Sequence, residues 1–148
     1  MPKFFTLQEA EKLIPVLQER LSQAIDFRNE AVEMETELQA LTARIQMIGG
    51  LLVDPVSVAQ KKHQKSRAAQ LLHDAMREIE DFGCILKDLD VGLIDFPSMH
   101  KDEEVFLCWK LGESRIGYWH RADEGFAGRK PIGGDFGAAE GDPSAKPN

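Results

Sequence analysis

The sequence predicts an α+β fold: a long antiparallel helical hairpin, then a small antiparallel β-sheet, then a disordered C-terminal tail. An apolar stripe at three-and-four spacing runs from Leu13 to Ile48, the signature of one long amphipathic helix. After Gly83 the apolar period drops from about 3.6 to about 2, the period of strands. The final stretch, GGDFGAAEGDPSAKPN, has no core pattern. With 148 residues, 43% of them apolar, the chain can build one core of ordinary size but not two. Residues 1–132 are therefore expected to form a single domain and residues 133–148 a tail.

The first helical segment is expected over residues 7–48. Thr6 and Glu9 form a capping box, in which hydroxyl and carboxylate each satisfy one orphan backbone donor. Pro15 cannot donate to the carbonyl four residues back, so a kink or short break is expected beside it. Gly49 and Gly50 end the run. The connection is LLVDPVS, and Ser57 is expected to cap a second helix over 57–82, stopped by Gly83. An antiparallel pairing of the two would bring Arg67 near Glu37 and Lys65 near Leu41. Strands are expected at 84–86, 93–96, 105–110 and 115–120, within a sheet region 84–120. KDLDVG, PSMHKDEE and LGES would be its turns, and residues 121–132 a closing loop.

Lengths suggest an assembly. Residues 16–48 as one helix span roughly 50 Å, whereas a compact globule of this size is about 38 Å across. A hairpin that long would protrude and bury its stripes incompletely, so a homodimer formed through the hairpin is expected. Other partners are limited by charge and hydropathy. A net charge of −7 and a pI near 5.1 argue against general attraction to nucleic acid, and no stretch approaches the ~20 apolar residues of a membrane span. The basic run KKHQKSR at 61–67 reads as a solvated helix face opposite Glu30, Glu33, Glu35 and Glu37. Two distant cysteines and an N-terminus without a signal-peptide pattern point to the cytoplasm.

The densest cluster of chemically capable residues lies between Asp95 and Arg129. FTLQEAEKLIP, GCILKDLDVGLIDFP, LCWKLGE, WH and GFAGR together resemble an uncharacterised bacterial family catalogued as domain of unknown function 2203. The resemblance implies that Asp95, Cys108, Trp109, Glu113, Trp119, His120, Gly125 and Arg129 sit at family motif positions. It carries over no activity.

Two functions from different classes fit these residues. The first is a homo-oligomeric interaction or ligand-binding module whose surface is formed by Trp109, Trp119, Glu113 and Arg129. The second is a metal-dependent or acid/base enzyme of hydrolase type around Asp95, His120 and Asp123. There Asp95, Cys108 and His120 are the candidate ligands of a divalent metal, because carboxylate, thiolate and imidazole are its standard donors. Arg129 is expected either to hold an anionic group or to pair with Glu113. Neither function names a substrate or small-molecule ligand.

Turn chemistry discriminates between the two. Gly112 and Glu113 suit a two-residue type II′ hairpin, which pairs Cys108 with Gly117, Trp109 with Ile116 and Val105 with His120. In that register Cys108 and His120 point to opposite faces, and a shared metal between them is excluded without a bulge; a three-residue loop, which the turn residues disfavour, would put them on one face.

Overall fold

The computed structural model describes residues 3–48 and 54–133. The expected stop at Gly49–Gly50 and the tail from residue 134 onward lie outside the described residues. Helix α1 (Leu7–Lys12) is followed by α2 (Ile14–Ile48) and α3 (Pro55–Asp81). The strands are β1 (Ile85–Asp88), β2 (Leu93–His100), β3 (Glu103–Lys110), β4 (Tyr118–Arg121) and β5 (Lys130–Pro131), with a 3₁₀ turn at Phe126–Gly128. The chain forms two compact units, Met1–Leu21 with Arg77–Asn148, and Ser22–Met76. Helix α2 contributes its first two turns to the former and the rest to the latter.

In the sheet-bearing unit the capping box forms as expected. Glu9 N–H donates to the Thr6 hydroxyl at 3.1 Å, and Thr6 N–H donates to the Glu9 carboxylate at 2.9 Å. The expected break is at Leu13, whose N–H bonds to the Ala10 carbonyl while Pro15 offers no donor to continue the ladder. Beyond it Ile14, Leu17 and Leu21 are buried, as are Ile79 and Cys84. Gly83 terminates α3 in the left-handed region at φ +101°, the stop expected there.

The sheet is a five-stranded antiparallel meander in the order β1-β2-β3-β4-β5. One face carries Ile94, Phe96, Ser98, Val105, Leu107 and Trp109, each at most 1% exposed. Phe5 meets Phe96 edge-on at 5.4 Å, and Ser98 Oγ donates to the Phe5 carbonyl at 2.6 Å. These contacts stitch the segment before α1 to β2.

The expected turn PSMHKDEE is instead mostly strand. The turn is confined to Lys101 and Asp102, both at positive φ, which is the two-residue hairpin geometry that matches strand twist. Pro97 is tolerated inside β2 because β1 ends its pairing at Asp95, so no neighbouring strand needs the missing donor. Strand β5, which pairs with β4, was not expected.

In the hairpin unit α2 and α3 are antiparallel, cross-linked by Glu37–Lys61 at 3.5 Å, Glu35–Lys65, and Glu30–Gln64 at 3.2 Å. This corrects the expected pairing of Arg67 with Glu37 and of Lys65 with Leu41. Part of the displacement follows from the start of α3, which lies at Pro55 rather than after Ser57. Asp54 caps it by accepting from Val56 N–H at 3.0 Å, and proline is well suited to a first helical position because its missing donor would be unpaired there anyway. Among the described residues of this unit, Ala24, Met34, Ala68 and Ala75 are the buried apolar ones. Leu38, Leu41, Ile45, Val58 and Leu72 are only half-buried.

Candidate metal centre

The register of β3 and β4 is one residue away from the one that turn chemistry predicts. Cys108 pairs with Tyr118, Leu107 with Trp119, and Phe106 with His120, so the expected pairs Cys108–Gly117, Trp109–Ile116 and Val105–His120 are absent. The physical reason lies in the connection. Gly112, at φ +103°, is the third residue of a tight turn closed by Glu113 N–H donating to the Lys110 carbonyl at 3.0 Å, not the first central residue of a two-residue loop. Glu113 reinforces this turn by accepting from Lys110 N–H at 2.8 Å, and Trp109 Nε1 donates to the Glu113 carbonyl. The chain then continues to Ile116, whose N–H donates to Glu11 on α1. With seven residues between the strands, every side chain of β4 turns to the face opposite the expected one.

The consequence is that Cys108 and His120 share a face, together with Asp95. Asp95 is the cross-strand partner of Cys108, and Tyr118 lies across from Cys108 on the other side. One candidate ligand atom from each of Asp95, Cys108 and His120 lies within 4.8 Å of the other two, and all three residues are buried. A cavity of about 80 Å³ adjoins them, lined among others by Lys87, Phe106, Glu124 and Phe126.

Hydrogen bonds fix the state of His120. Its Nδ1 lies 2.9 Å from the Arg121 carbonyl, which can only accept, so Nδ1 carries a proton and Nε2 faces Asp95 Oδ2 at 3.0 Å. A second proton must lie between Nε2 and Oδ2, shared by imidazole and carboxyl. Burial pushes the Asp95 carboxyl above the usual carboxylate range, against the lowering pull of His120 and Lys87. Its other oxygen, Oδ1, is buried with no hydrogen-bond partner. Burial likewise pushes the Cys108 thiol up to about 11, against Arg129, whose Nη1 lies 3.9 Å from the sulfur.

This chemistry excludes one mechanism and suits another. Neither nitrogen of His120 is directed at Cys108, and the thiol is held protonated, so the set lacks the thiolate–imidazole relay of a cysteine nucleophile. A cation between the three groups would replace the shared proton and the thiol proton. The Nδ1–carbonyl bond is the outer support that orients a metal-binding imidazole.

The other expected site residues are dispersed. Trp109 is fully buried on the opposite face of the sheet, where it is core. Trp119 is on that opposite face too, half-buried and flanked by His100, Arg121 and Lys130. Asp123 is exposed in the turn after β4 and does not line the cavity. Arg129 takes the second of its expected roles: its guanidinium stacks on Tyr118 and Phe126 and reaches Glu113 at 3.8 Å. Two charged cavity residues were missed, Lys87 and Glu124. The signal for Glu124 was its spacing from Arg121, whose N–H it accepts; Glu124 also pairs with Lys130.

No curated protein and no solved structure matches the chain. One family model does, over residues 3–132, which takes in the whole of the hairpin unit and residues 3–21 and 77–132 of the other. The chain belongs to the family of uncharacterised conserved proteins designated domain of unknown function 2203.

Proposed function

We propose that this protein is a metal-dependent centre of hydrolase type, binding one divalent transition metal, with zinc the best match, through Asp95, Cys108 Sγ and His120 Nε2. The observation that carries the reading is the convergence of three different donor atoms within 4.8 Å, with the second nitrogen of His120 tied to a backbone carbonyl. A tetrahedral zinc holds its ligand atoms about 3.5 Å apart, so side-chain adjustments of about 1 Å close the set. Three protein ligands leave one coordination position for water or substrate, the pattern of catalytic rather than structural zinc sites. The adjoining cavity supplies the space. The orphaned Asp95 Oδ1 supports the same reading, because a buried carboxylate oxygen without a partner is costly unless something binds it.

Elemental analysis of untagged protein purified without added metal tests this directly. About one equivalent of zinc is expected, lost in Cys108→Ser and in His120→Ala. Less than about a tenth of an equivalent of every transition metal, together with no zinc uptake by calorimetry, overturns it.

A second reading concerns assembly: a homodimer through the hairpin, the interaction module expected from the sequence. It is favoured by the half-buried row Leu38, Leu41, Ile45, Val58 and Leu72 and by the exposed Val32 and Val56. A second copy suits this face because an antiparallel pairing sets acidic α2 of one protomer against basic α3 of the other. Sedimentation at micromolar concentration should show a dimer that Leu38→Glu dissociates; a monomeric wild-type protein sinks the reading. We place the protein in the cytoplasm, a compartment in keeping with two buried free thiols. Nucleic acid is not part of the proposal, since Lys61 and Lys65 of the basic run are engaged by Glu37 and Glu35.

A further inference from the structure

We infer that the open position of the metal centre takes a small oxyanion, a phosphate or carboxylate group, with Lys87 as its second contact. This inference rests on the metal reading above and adds the ligand class.

Lys87 owes its place to a local irregularity. Strand β1 pairs Leu86 with Ile94 and Asp88 with Leu93, so Lys87 is the extra, unpaired residue of a β-bulge. Bulges re-aim side chains, and they recur beside functional sites. Here the bulge brings Lys87 to the wall of the cavity that Asp95, Cys108 and His120 also line. Among the described residues no ion pair or hydrogen bond engages Lys87, so it is available to a ligand.

Charge counting gives the sign of the ligand. A divalent ion bound by the Asp95 carboxylate, the Cys108 thiolate and neutral His120 is a neutral unit. Around it Arg129 is balanced by Glu113, and Glu124, the one other carboxylate on the cavity wall, is balanced by Lys130. Lys87 is the uncompensated charge. A site with one surplus positive charge, carried by the exposed Lys87 at its rim, and an open metal position favours an anion with oxygen donors.

Volume gives its size. About 80 Å³ is well below the roughly 300–1,000 Å³ of pockets that enclose a drug-sized ligand. Only a group of a few non-hydrogen atoms enters, either a free ion or the end of a longer molecule. Leu93 and Phe106, both half-buried, form the apolar part of the wall beside the metal position.

Cobalt(II) in place of zinc makes the test readable. Bound to the full chain, it should show a thiolate charge-transfer band in the near ultraviolet and tetrahedral bands in the visible. Inorganic phosphate and acetate are then titrated separately. Saturable changes in the visible bands with either anion are expected, and whichever binds more tightly identifies the oxyanion. Lys87→Ala should weaken that binding by about tenfold while leaving the thiolate band in place, and Lys87→Arg should restore it. A thiolate band with no response to either anion, or a response indifferent to Lys87→Ala, overturns the oxyanion site while leaving the metal centre standing. Absence of the thiolate band overturns both.

Discussion

The two units of this chain bury their apolar residues to very different degrees. In the sheet unit Trp109, Phe96, Ile94, Leu107 and Leu17 are fully buried. Among the described residues of the hairpin unit the buried apolar set is three alanines and Met34, while larger residues such as Leu38 and Ile45 remain half-accessible and carboxylates pair with lysines across the helices. Burial removes apolar area from water at about 25 cal/mol per Å², so the sheet unit draws its stability from its own interior. Among its described residues the hairpin has little such interior. The contrast also isolates the candidate metal centre: Asp95 and His120, with side chains 4% and 6% exposed, are charged or polar groups in the better-packed unit. A well-packed interior retains such groups at a cost, which is why the pair is proposed to serve binding chemistry.

The largest effect that would break this contrast is truncation of the sheet core. Phe96→Ala or Trp109→Ala should cost about 3–5 kcal/mol in urea unfolding followed by circular dichroism, whereas Leu38→Ala should cost about 1 kcal/mol. Equal costs would mean that the hairpin has a core of its own.

The next test asks whether the polar cluster serves stability. In metal-free protein Asp95→Ala should cost about 3 kcal/mol by leaving His120 buried without its partner. The double change Asp95→Leu with His120→Leu should cost less than about 1 kcal/mol, because apolar groups then replace both. A double change as costly as the single one would make the pair structural.

Metal affinity should depend on pH in one direction. The Cys108 thiol, pushed up to about 11, must lose its proton to become a ligand, and the proton shared by Asp95 and His120 must leave too. Protons therefore compete with zinc, and apparent affinity should rise with pH by at least about tenfold per unit between pH 6 and 8 in calorimetric titration. A flat profile would show that neither proton is displaced.

The smallest effect is expected from the hairpin's surface charges. Lys65→Gln should leave Tm unchanged within error at physiological salt, since a pair between exposed side chains is screened and costs side-chain freedom to hold. A clear drop in Tm would move those charges into a covered interface and so strengthen the homodimer.

The helices were legible because their signals are local. The capping box at Thr6–Glu9, the break near Pro15 and the stop at Gly83 each act within a few residues, and the chain obeys all three. The start of α3 was misplaced because Asp54–Pro55 reads equally as a turn and as a cap followed by a first helical proline. The composition of the site was also legible. Asp95, Cys108 and His120 stood out as a carboxylate, a thiol and an imidazole on neighbouring strands.

What only the tertiary structure decided is whether those three groups meet. Side chains alternate along a strand, so the parity of one loop determines which face His120 occupies, and a single residue reverses the answer. That parity was set by a contact distant in sequence, Glu11 on α1 holding the Ile116 N–H, together with the local turn around Gly112, which closes one residue earlier than its Gly–Glu pair suggests. Lys87 was invisible for the same reason, because a bulge is defined by the partner strand opposite it. The sequence by itself determined the elements and the chemical types available. Pairing between strands, whose energy depends on residues far apart along the chain, decided which of those types converge.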